Sequence, residues 1–227
     1  MSARRPSLRS RRAAAVSRPR RGDPRETRRR LVAAAGVVFD RDGYAGTDSN
    51  RIAREAGYSP GTFYLHFADK KEAFVAAYVE WVSEEWAAIA RILDAGRPPR
   101  ATARALVATI VGLHRRWRGL RRSLRALVGE DAAVRRAYLA ERARQLDAVA
   151  RLGPPRRRPG RAEDALLLYL FERTGDALAD GEPAALGVSA AQLTRLLAER
   201  LELRLRRGST GGRTGRPSRP RARPTHS

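Results

Sequence analysis

Apolar residues recur every three or four positions through most of the chain, and no stretch alternates convincingly between apolar and polar residues. A spacing of three or four places side chains on one face of an α-helix, whereas a half-buried strand would alternate. The pattern therefore predicts an all-α fold. The expected helices cover approximately residues 24–41, 47–56, 59–67, 69–94, 100–117, 119–128, 130–152, 163–179 and 189–206.

The segment Thr47–Phe67 is the clearest local signal, because it has the sequence of two short helices joined by a tight turn. Gly57 can take the left-handed conformation that closes a helix at low cost. Ser59 can then cap the next helix, with Pro60 at the first helical position, where its missing N–H does no harm. We therefore predict a helix-turn-helix at this position.

The second helix of this pair has an apolar side and a polar side. Phe63 and Phe67 lie four residues apart and can be buried together. The side chains between them then point elsewhere, and they carry groups that hydrogen-bond to phosphates and base edges. Those side chains are Thr62, Tyr64 and His66.

A helix in front of this pair completes a small domain. Asp23 is a good N-cap, Pro24 suits the first helical position, and Glu26 could close a capping box. Thr47 is expected to cap the helix that follows. The predicted core residues of the three helices are Leu31, Val38, Phe39, Ile52, Phe63 and Phe67.

The fourth expected helix starts with two lysines, Lys70 and Lys71. Positive charge is unfavourable there, because the N-terminal end of a helix is the positive end of its dipole. An external anion such as a DNA phosphate would relieve this repulsion.

The last two expected helices are rich in leucine at helical spacing, and this pattern has two interpretations. The leucines could pack in the core of one chain, or they could pair with a second copy in a four-helix arrangement. Both remain open from the sequence. The leucines considered for such an interface are Leu166, Leu170, Leu193, Leu197 and Leu201.

The chain carries 47 Lys and Arg against 24 Asp and Glu, a formal net charge of +23. Such an excess favours a polyanionic partner, although the arginine bias is also what GC-rich coding would give. Three basic segments are rich in Pro or Gly: those at 1–22 and 207–227 are expected to be disordered, and the one at 153–160 is expected to be a loop that cannot be helical. The two terminal arms could hold DNA non-specifically or could be solvated tails.

Several kinds of chemistry have no support in the sequence. Cysteine is absent, which excludes disulfides and thiol nucleophiles, and the three histidines lie far apart, so we expect neither a metal nor a cofactor. No nucleophile elbow, P-loop or dinucleotide fingerprint occurs, so we expect no enzymatic activity. No apolar run approaches the ~18–20 residues that span a bilayer. We therefore expect no membrane partner and a cytoplasmic bacterial protein.

One set of motifs is specific in combination and covers about a fifth of the chain. Its elements are Phe39…Gly43-Tyr44…Thr47, Ile52-Ala53…Ala56-Gly57, Ser59-x-Gly61-Thr62-Phe63-Tyr64, His66-Phe67 and Lys70. With these motifs the segment 27–74 resembles the N-terminal DNA-binding domain of TetR-type transcriptional regulators.

The resemblance implies a homodimer that represses, or less often activates, transcription from an inverted-repeat operator in double-stranded DNA. Residues 23–68 would bind DNA, and residues 69–206 would form an all-helical domain for dimerisation and for a small-molecule effector that releases the DNA. By this resemblance the phosphate contacts would come from Thr47, Tyr64, His66 and Lys70. The base edges would be faced by Ser59, Pro60, Gly61 and Thr62.

The effector pocket is the least determined feature of the sequence. Conspicuous polar aromatic side chains in the second domain are candidates for it, although aromatic residues at helical spacing more often pack protein. These candidates are Trp81, His114, Trp117, Tyr138 and Tyr169.

Two other functions remain open from the sequence. The chain could be a non-specific basic nucleic-acid-binding protein that uses its Arg-rich arms. It could also be a helical small-molecule-binding protein that keeps only a relic of the DNA-reading domain. A regulator should keep its sequence specificity when both arms are deleted, whereas a packaging protein should lose nearly all binding.

Overall fold

The computed structural model describes residues 23–152 and 160–209, with side chains through Arg206. Every regular element in these ranges is an α-helix, which confirms the predicted all-α class. The helices are α1 (Pro24–Asp42), α2 (Ser49–Glu55), α3 (Pro60–Tyr64), α4 (Lys70–Asp94), α5 (Pro99–Arg116), α6 (Arg118–Glu130), α7 (Ala132–Ala150), α8 (Arg161–Asp180), α9 (Glu182–Ala185) and α10 (Ala190–Ser209).

The three basic segments lie largely outside this description. The arm at 1–22, the loop residues 153–159 and the tail from residue 210 fall outside the described residues. Helix α10 ends at Ser209, three residues beyond the expected end of the last helix. Within the described part of the chain, no helix combines the length and the apolarity that a membrane crossing would need.

The first helix begins where its cap was predicted. The Asp23 carboxylate accepts a hydrogen bond from the Arg25 N–H at 2.8 Å, and Pro24 occupies the first helical position. The second half of the predicted capping box, in which Glu26 would accept from the cap residue, is wrong. The Glu26 carboxylate accepts hydrogen bonds from the side chains of Arg29 and Arg30 instead, and these hydrogen bonds lower its pKa to about 2.

The helix-turn-helix forms as predicted, with one change of cap. Gly57 has φ of +79°, and the Ser59 hydroxyl caps α3. The residue that caps α2 is Asp48, whose carboxylate accepts from the Arg51 N–H at 2.7 Å, and not the predicted Thr47. A carboxylate one residue later reaches the free amide groups of the first turn equally well, and the Thr47 hydroxyl turns back to Gly43.

The described residues divide into two compact units between Tyr78 and Val79, partway along α4. The domain boundary expected at residue 68 falls ten residues earlier, near the start of that helix. In the first unit, α1, α2 and α3 bury a common core, and every predicted core side chain is at most 1% exposed. Phe74 of α4 joins this core edge-to-face with Phe39, their ring centroids 5.0 Å apart.

In the second unit, α5 packs against α8 and α10. Their shared core takes in Leu197 and Leu201, each 4% exposed, and Leu193 packs against the same core. Their four-residue spacing follows the inward side of α10, so Leu197 and Leu201 pack within one chain, and an interface role for these three leucines stays a prediction. Leu196 and Leu203 occupy the outward side and are about half exposed.

Candidate functional site

Helix α3 has one side that is packed in the core and one side that is exposed. Phe63 is fully buried beneath it, in contact with Phe67 at a centroid distance of 5.4 Å. On the other side, Tyr64 is 57% exposed and the neighbouring Leu65 is 83% exposed. Because the exposed Tyr64 hydroxyl lies beside small polar residues on the same short helix, this end of α3 is a candidate contact surface.

The start of α3 is built from small side chains. The Ser59 hydroxyl lies 3.4 Å from the Thr62 amide nitrogen and 3.1 Å from the Thr62 hydroxyl. Pro60 and Gly61 are exposed, and a methyl group added at Gly61 would meet only the Ser59 hydroxyl, at 3.9 Å. The predicted base-facing residues therefore form a surface of small side chains, which base edges in a DNA groove could approach closely.

Thr47 is buried and is not part of this exposed surface. Its side chain is 3% exposed, and its hydroxyl donates to the Gly43 carbonyl oxygen at 2.8 Å. The side chain therefore secures the turn between α1 and α2. A phosphate contact from the Thr47 hydroxyl, as the resemblance implied, would require that hydrogen bond to open.

Lys70 is bound to the same turn. Its ammonium group donates to the carbonyl oxygens of Tyr44, at 3.0 Å, and Thr47, at 2.8 Å. It also lies 4.4 Å from the centre of the Tyr44 ring. An ammonium group has three donors, so these bonds leave one donor for a phosphate.

The start of α4 has its own acidic cap, which offsets the repulsion expected from the two lysines. The Asp69 carboxylate accepts from the Glu72 N–H at 2.9 Å, and the Glu72 carboxylate accepts from the Ala68 N–H at 2.7 Å. This reciprocal arrangement resembles a capping box, except that the Glu72 carboxylate accepts from the residue before the cap. An external anion is therefore not needed to stabilise this helix start.

Ion pairs fix α2 against α1. The Arg41 guanidinium donates to Glu55 at 3.3 Å, and Arg51 pairs with Asp42 at 3.3 Å. The hydrogen bond from the Arg41 side chain holds the pKa of Asp42 below its usual range. These contacts orient α2 and, through the turn, the helix α3 that follows it.

Leu65 is an exposed residue of this surface that the motifs of the sequence do not single out. An apolar residue between Tyr64 and His66 resembles a further core position. A signal for its exposure is nevertheless available in the spacing, since Phe63 and Phe67 occupy the inward side and Leu65 lies between them.

The second unit brings together part of the predicted pocket. Trp81 and His114 are buried, Tyr138 is half-buried, and all three lie along one network of charged side chains. Trp117 is also buried and lies 5.1 Å from the Arg116 guanidinium. Tyr169 is 56% exposed on α8.

The network begins at His114. His114 Nδ1 lies 3.0 Å from the Asp176 carboxylate, which also accepts a hydrogen bond from Arg121 Nε. Burial lowers the pKa of His114, so its imidazole stays neutral and Nδ1 carries the proton that Asp176 accepts. Burial alone would raise the pKa of Asp176, but the hydrogen bonds from His114 and Arg121 outweigh it and the pKa is lowered.

The network continues through Glu172 to α7. The Glu172 carboxylate accepts from Arg121 at 3.3 Å and pairs with Arg142. Arg142 in turn donates to the Tyr138 hydroxyl at 2.9 Å and to the Gln145 side-chain carbonyl at 2.7 Å. Side chains of α5, α6, α7 and α8 are thus joined in one polar cluster.

A separate apolar surface lies on α8 and α10. A groove there is lined by leucines together with Glu163, Arg200 and Arg204, and its leucines are Leu166, Leu167, Leu170 and Leu203. The predicted interface residues Leu166 and Leu170 are 63% and 38% exposed. Beside the groove, the Arg204 guanidinium donates to the buried Asp164 carboxylate at 2.7 Å.

Comparison with known proteins identifies the first unit. Residues 31–77 match the sequence model described as bacterial regulatory proteins, tetR family. The chain is 42% identical over 52 residues to the HTH-type transcriptional regulator SAUSA300_2515 of Staphylococcus aureus. That match spans 23% of this chain and only 28% of the relative, so it concerns the helix-turn-helix domain.

The fold likeness extends much further along the chain. SCO4454, a TetR-family transcriptional regulator from Streptomyces coelicolor, superposes with a TM-score of 0.59 at 24% identity, covering 82% of this chain and 97% of that one. A TetR-like transcriptional regulator from Rhodococcus sp. RHA1 gives 0.53 at 22% identity, covering 82% and 96%. The helix-turn-helix domain therefore matches the tetR family of bacterial regulatory proteins in sequence, and the chain shares the fold of these two solved structures.

Proposed function

We propose that this protein is a sequence-specific DNA-binding transcriptional regulator of the bacterial cytoplasm, which represses its target from an inverted-repeat operator. The observation that carries the proposal is the surface of α3. Tyr64 and Leu65 stand open beside a row of small polar residues, while Phe63 beneath them is fully buried. A helix with this division can enter the major groove without disturbing the core of its domain.

Each exposed group of α3 has a suitable partner on DNA. The Tyr64 hydroxyl and the half-buried His66 imidazole can donate to phosphate oxygens, which position the protein on the duplex. Ser59 and Thr62 can exchange their mutual hydrogen bond for one to a base edge. Leu65 is suited to the thymine methyl group, which lies in the major groove.

Thr47 and Lys70 act on DNA chiefly through the turn that they hold. Their polar groups bond the backbone between α1 and α2, so they set the height and angle at which α3 is presented. Any phosphate contact by Lys70 would use its one remaining donor.

We propose that two copies pair through α8 and α10. Outward leucines on both helices form one apolar surface, which a monomer would leave in water. A twofold pair buries the same surface on each copy. By this proposal the two α3 helices read half-sites about one helical turn, or roughly 34–36 Å, apart.

Regulation is assigned to the polar cluster of the second unit, where we propose that a small molecule binds and releases the protein from DNA. His114, Trp81 and Tyr138 belong to this cluster. Tyr169 lies on the outward side of α8 and is assigned to the dimer surface.

A matched pair of variants tests the role of α3. Leu65→Ala removes an exposed leucine from the proposed DNA surface, and Leu186→Ala removes one that is 69% exposed beside α9. On a DNA sequence selected by the full-length protein, Leu65→Ala should weaken binding by about 1–3 kcal/mol and relax the preference for thymine at one position. Leu186→Ala should bind like the parent. Equal binding by both variants in a mobility-shift assay would contradict the proposal.

A further inference from the structure

A small cavity lies beside the polar cluster, within the second unit. Its volume is about 160 Å³, and it is lined by side chains of α6, α7 and α8. The lining residues are Arg121, Leu124, Arg125, Val128, Tyr138 and Glu172. Cavities for drug-sized ligands typically measure about 300–1,000 Å³, so this one suits a compact molecule.

The ion-pair cluster that includes the charged lining residues is unevenly charged. The connected cluster, as far as the structure describes it, holds one more guanidinium group than carboxylate groups. Its guanidinium groups belong to Arg121, Arg122, Arg125 and Arg142, and its carboxylates to Glu172, Asp176 and Asp180. The buried Arg121 and Arg142 are balanced by Asp176 and Glu172, so the excess lies on the open side of the cluster, at Arg122 and Arg125, whose side chains are 63% and 44% exposed. An anion in the cavity beside Arg125 would meet this positive charge.

Glu85 does not supply that anion. Its side chain on α4 is buried, with 9% of the residue exposed. Burial raises the pKa of its carboxyl group, against the opposing effect of the nearby Arg121 and Arg142 charges. A carboxyl group in these surroundings favours its neutral form, and the cluster keeps its excess cation.

We propose that this cavity binds a small organic carboxylate, and that this anion is the effector of the regulator proposed above. The Arg125 guanidinium, about half exposed, and the Tyr138 hydroxyl are placed to donate to the carboxylate. Leu124 and Val128 would contact its apolar part. A cationic ligand would add to the excess positive charge, so the cluster selects against it.

The site also offers a way to transmit binding. Glu172 joins Arg121 of α6 to Arg142 of α7, and its side chain is 26% exposed. A carboxylate in the cavity competes with Glu172 for these donors, and Glu172 can then turn to water. The ligand thereby changes how three helices are joined, which gives it different contacts in two states of the domain.

The test uses the full-length protein without DNA, so that its outcome is independent of whether an operator exists. Acetate, butyrate and benzoate are titrated by calorimetry at neutral pH and constant ionic strength, beside benzamide, benzylamine and inorganic phosphate. At least one of the three organic acids should bind. The neutral and cationic analogues of benzoate should bind about tenfold more weakly than it or not at all, since they lose charge-assisted hydrogen bonds.

Four variants locate the bound acid. Arg125→Gln and Tyr138→Phe should each weaken acid binding about tenfold, because each removes a donor to the carboxylate. Arg115→Gln, at an exposed arginine on α5 away from the cavity lining, is the matched control and should bind like the parent. Glu172→Gln should tighten binding, because it removes the competing carboxylate.

Each contrary outcome overturns the proposal. These outcomes are no binding of any of the three acids, equal binding of benzamide or benzylamine, and binding of inorganic phosphate as tight as that of the acids. Unchanged acid affinity in Arg125→Gln and Tyr138→Phe would show that the anion binds elsewhere on this basic protein. Failure of DNA binding with intact acid binding would leave this site standing and refute only the regulator.

Discussion

Replacing Lys70 with methionine separates its two possible roles, a clamp on the turn before α2 and a contact to a DNA phosphate. Methionine keeps most of the length of the side chain and removes the ammonium group. The change deletes two hydrogen bonds to carbonyl oxygens, at 3.0 and 2.8 Å, and the contact with the Tyr44 ring. Because the site is half-buried, water can replace part of this loss.

The expected cost follows from those interactions. A hydrogen bond with one charged partner contributes about 1.5–3 kcal/mol when it is well shielded, and a cation–π interaction at an exposed site about 0.5–1 kcal/mol. Allowing for solvent at the carbonyl oxygens of Tyr44 and Thr47, we expect Lys70→Met to destabilise the first unit by about 1–3 kcal/mol. Thermal unfolding, followed by circular dichroism, measures this loss directly.

DNA binding then distinguishes the clamp from the phosphate contact. Removing one protein–phosphate interaction reduces the slope of log K against log salt by about 0.9, whereas a misplaced α3 lowers affinity without removing one particular interaction. We expect Lys70→Met to weaken operator binding with nearly the parental slope. Lys70→Arg keeps the charge but presents a planar fork that does not fit both carbonyl oxygens, so it should also lose stability and affinity.

The opposite pattern would refute the clamp. It consists of an unchanged unfolding midpoint for Lys70→Met, a salt slope reduced by about 0.9, and parental binding by Lys70→Arg. Lys70 would then be an ordinary phosphate-binding residue.

Two further variants test the second unit. Leu166→Glu, in the outward groove of α8, should convert a dimer into a monomer in sedimentation equilibrium, whereas Leu186→Glu should not; dimeric Leu166→Glu would exclude this surface from the interface. Gly175→Ala should lower stability by about 1–3 kcal/mol, because a Cβ atom there would lie 2.6 Å from His114 Nδ1 and force the network apart. Gly112→Ala on α5 has open space around its Cβ and should be neutral or stabilising in the same unfolding experiment, and equal effects of the two changes would contradict this account.

The helix-turn-helix could be predicted from the sequence because its signals are local. A left-handed glycine at Gly57, a hydroxyl cap at Ser59 and a proline at the first helical position act within a few residues of one another. Their geometry does not depend on the rest of the fold. The choice between Asp48 and Thr47 as cap was missed because both side chains can accept the same amide hydrogen bonds.

The inward side of α10 could not be assigned in the same way. Leu193, Leu197 and Leu201 form one row at a spacing of four residues, and Leu196 and Leu203 form another at a spacing of seven. Both spacings keep residues on one side of a helix, so periodicity alone does not say which row meets α5 and α8. Packing in three dimensions decides it.

The polar cluster depends on contacts between residues far apart in the chain, which local sequence patterns do not predict. His114 and Asp176 are 62 residues apart, and Arg121 and Glu172 are 51 apart. In the sequence Arg121 looks like part of an exposed, charged side of a helix, which is where arginines usually lie. Arg121 and Arg142 are buried because α5, α6, α7 and α8 enclose them.

The central claim is that two copies of α3 read DNA together. The most direct measurement is a selection by the full-length protein from a pool of random double-stranded DNA, followed by a footprint on the selected sequence. We predict an inverted repeat whose half-sites are centred about one helical turn apart, both protected at once. A single protected half-site, or a pool without any enriched sequence, would contradict it.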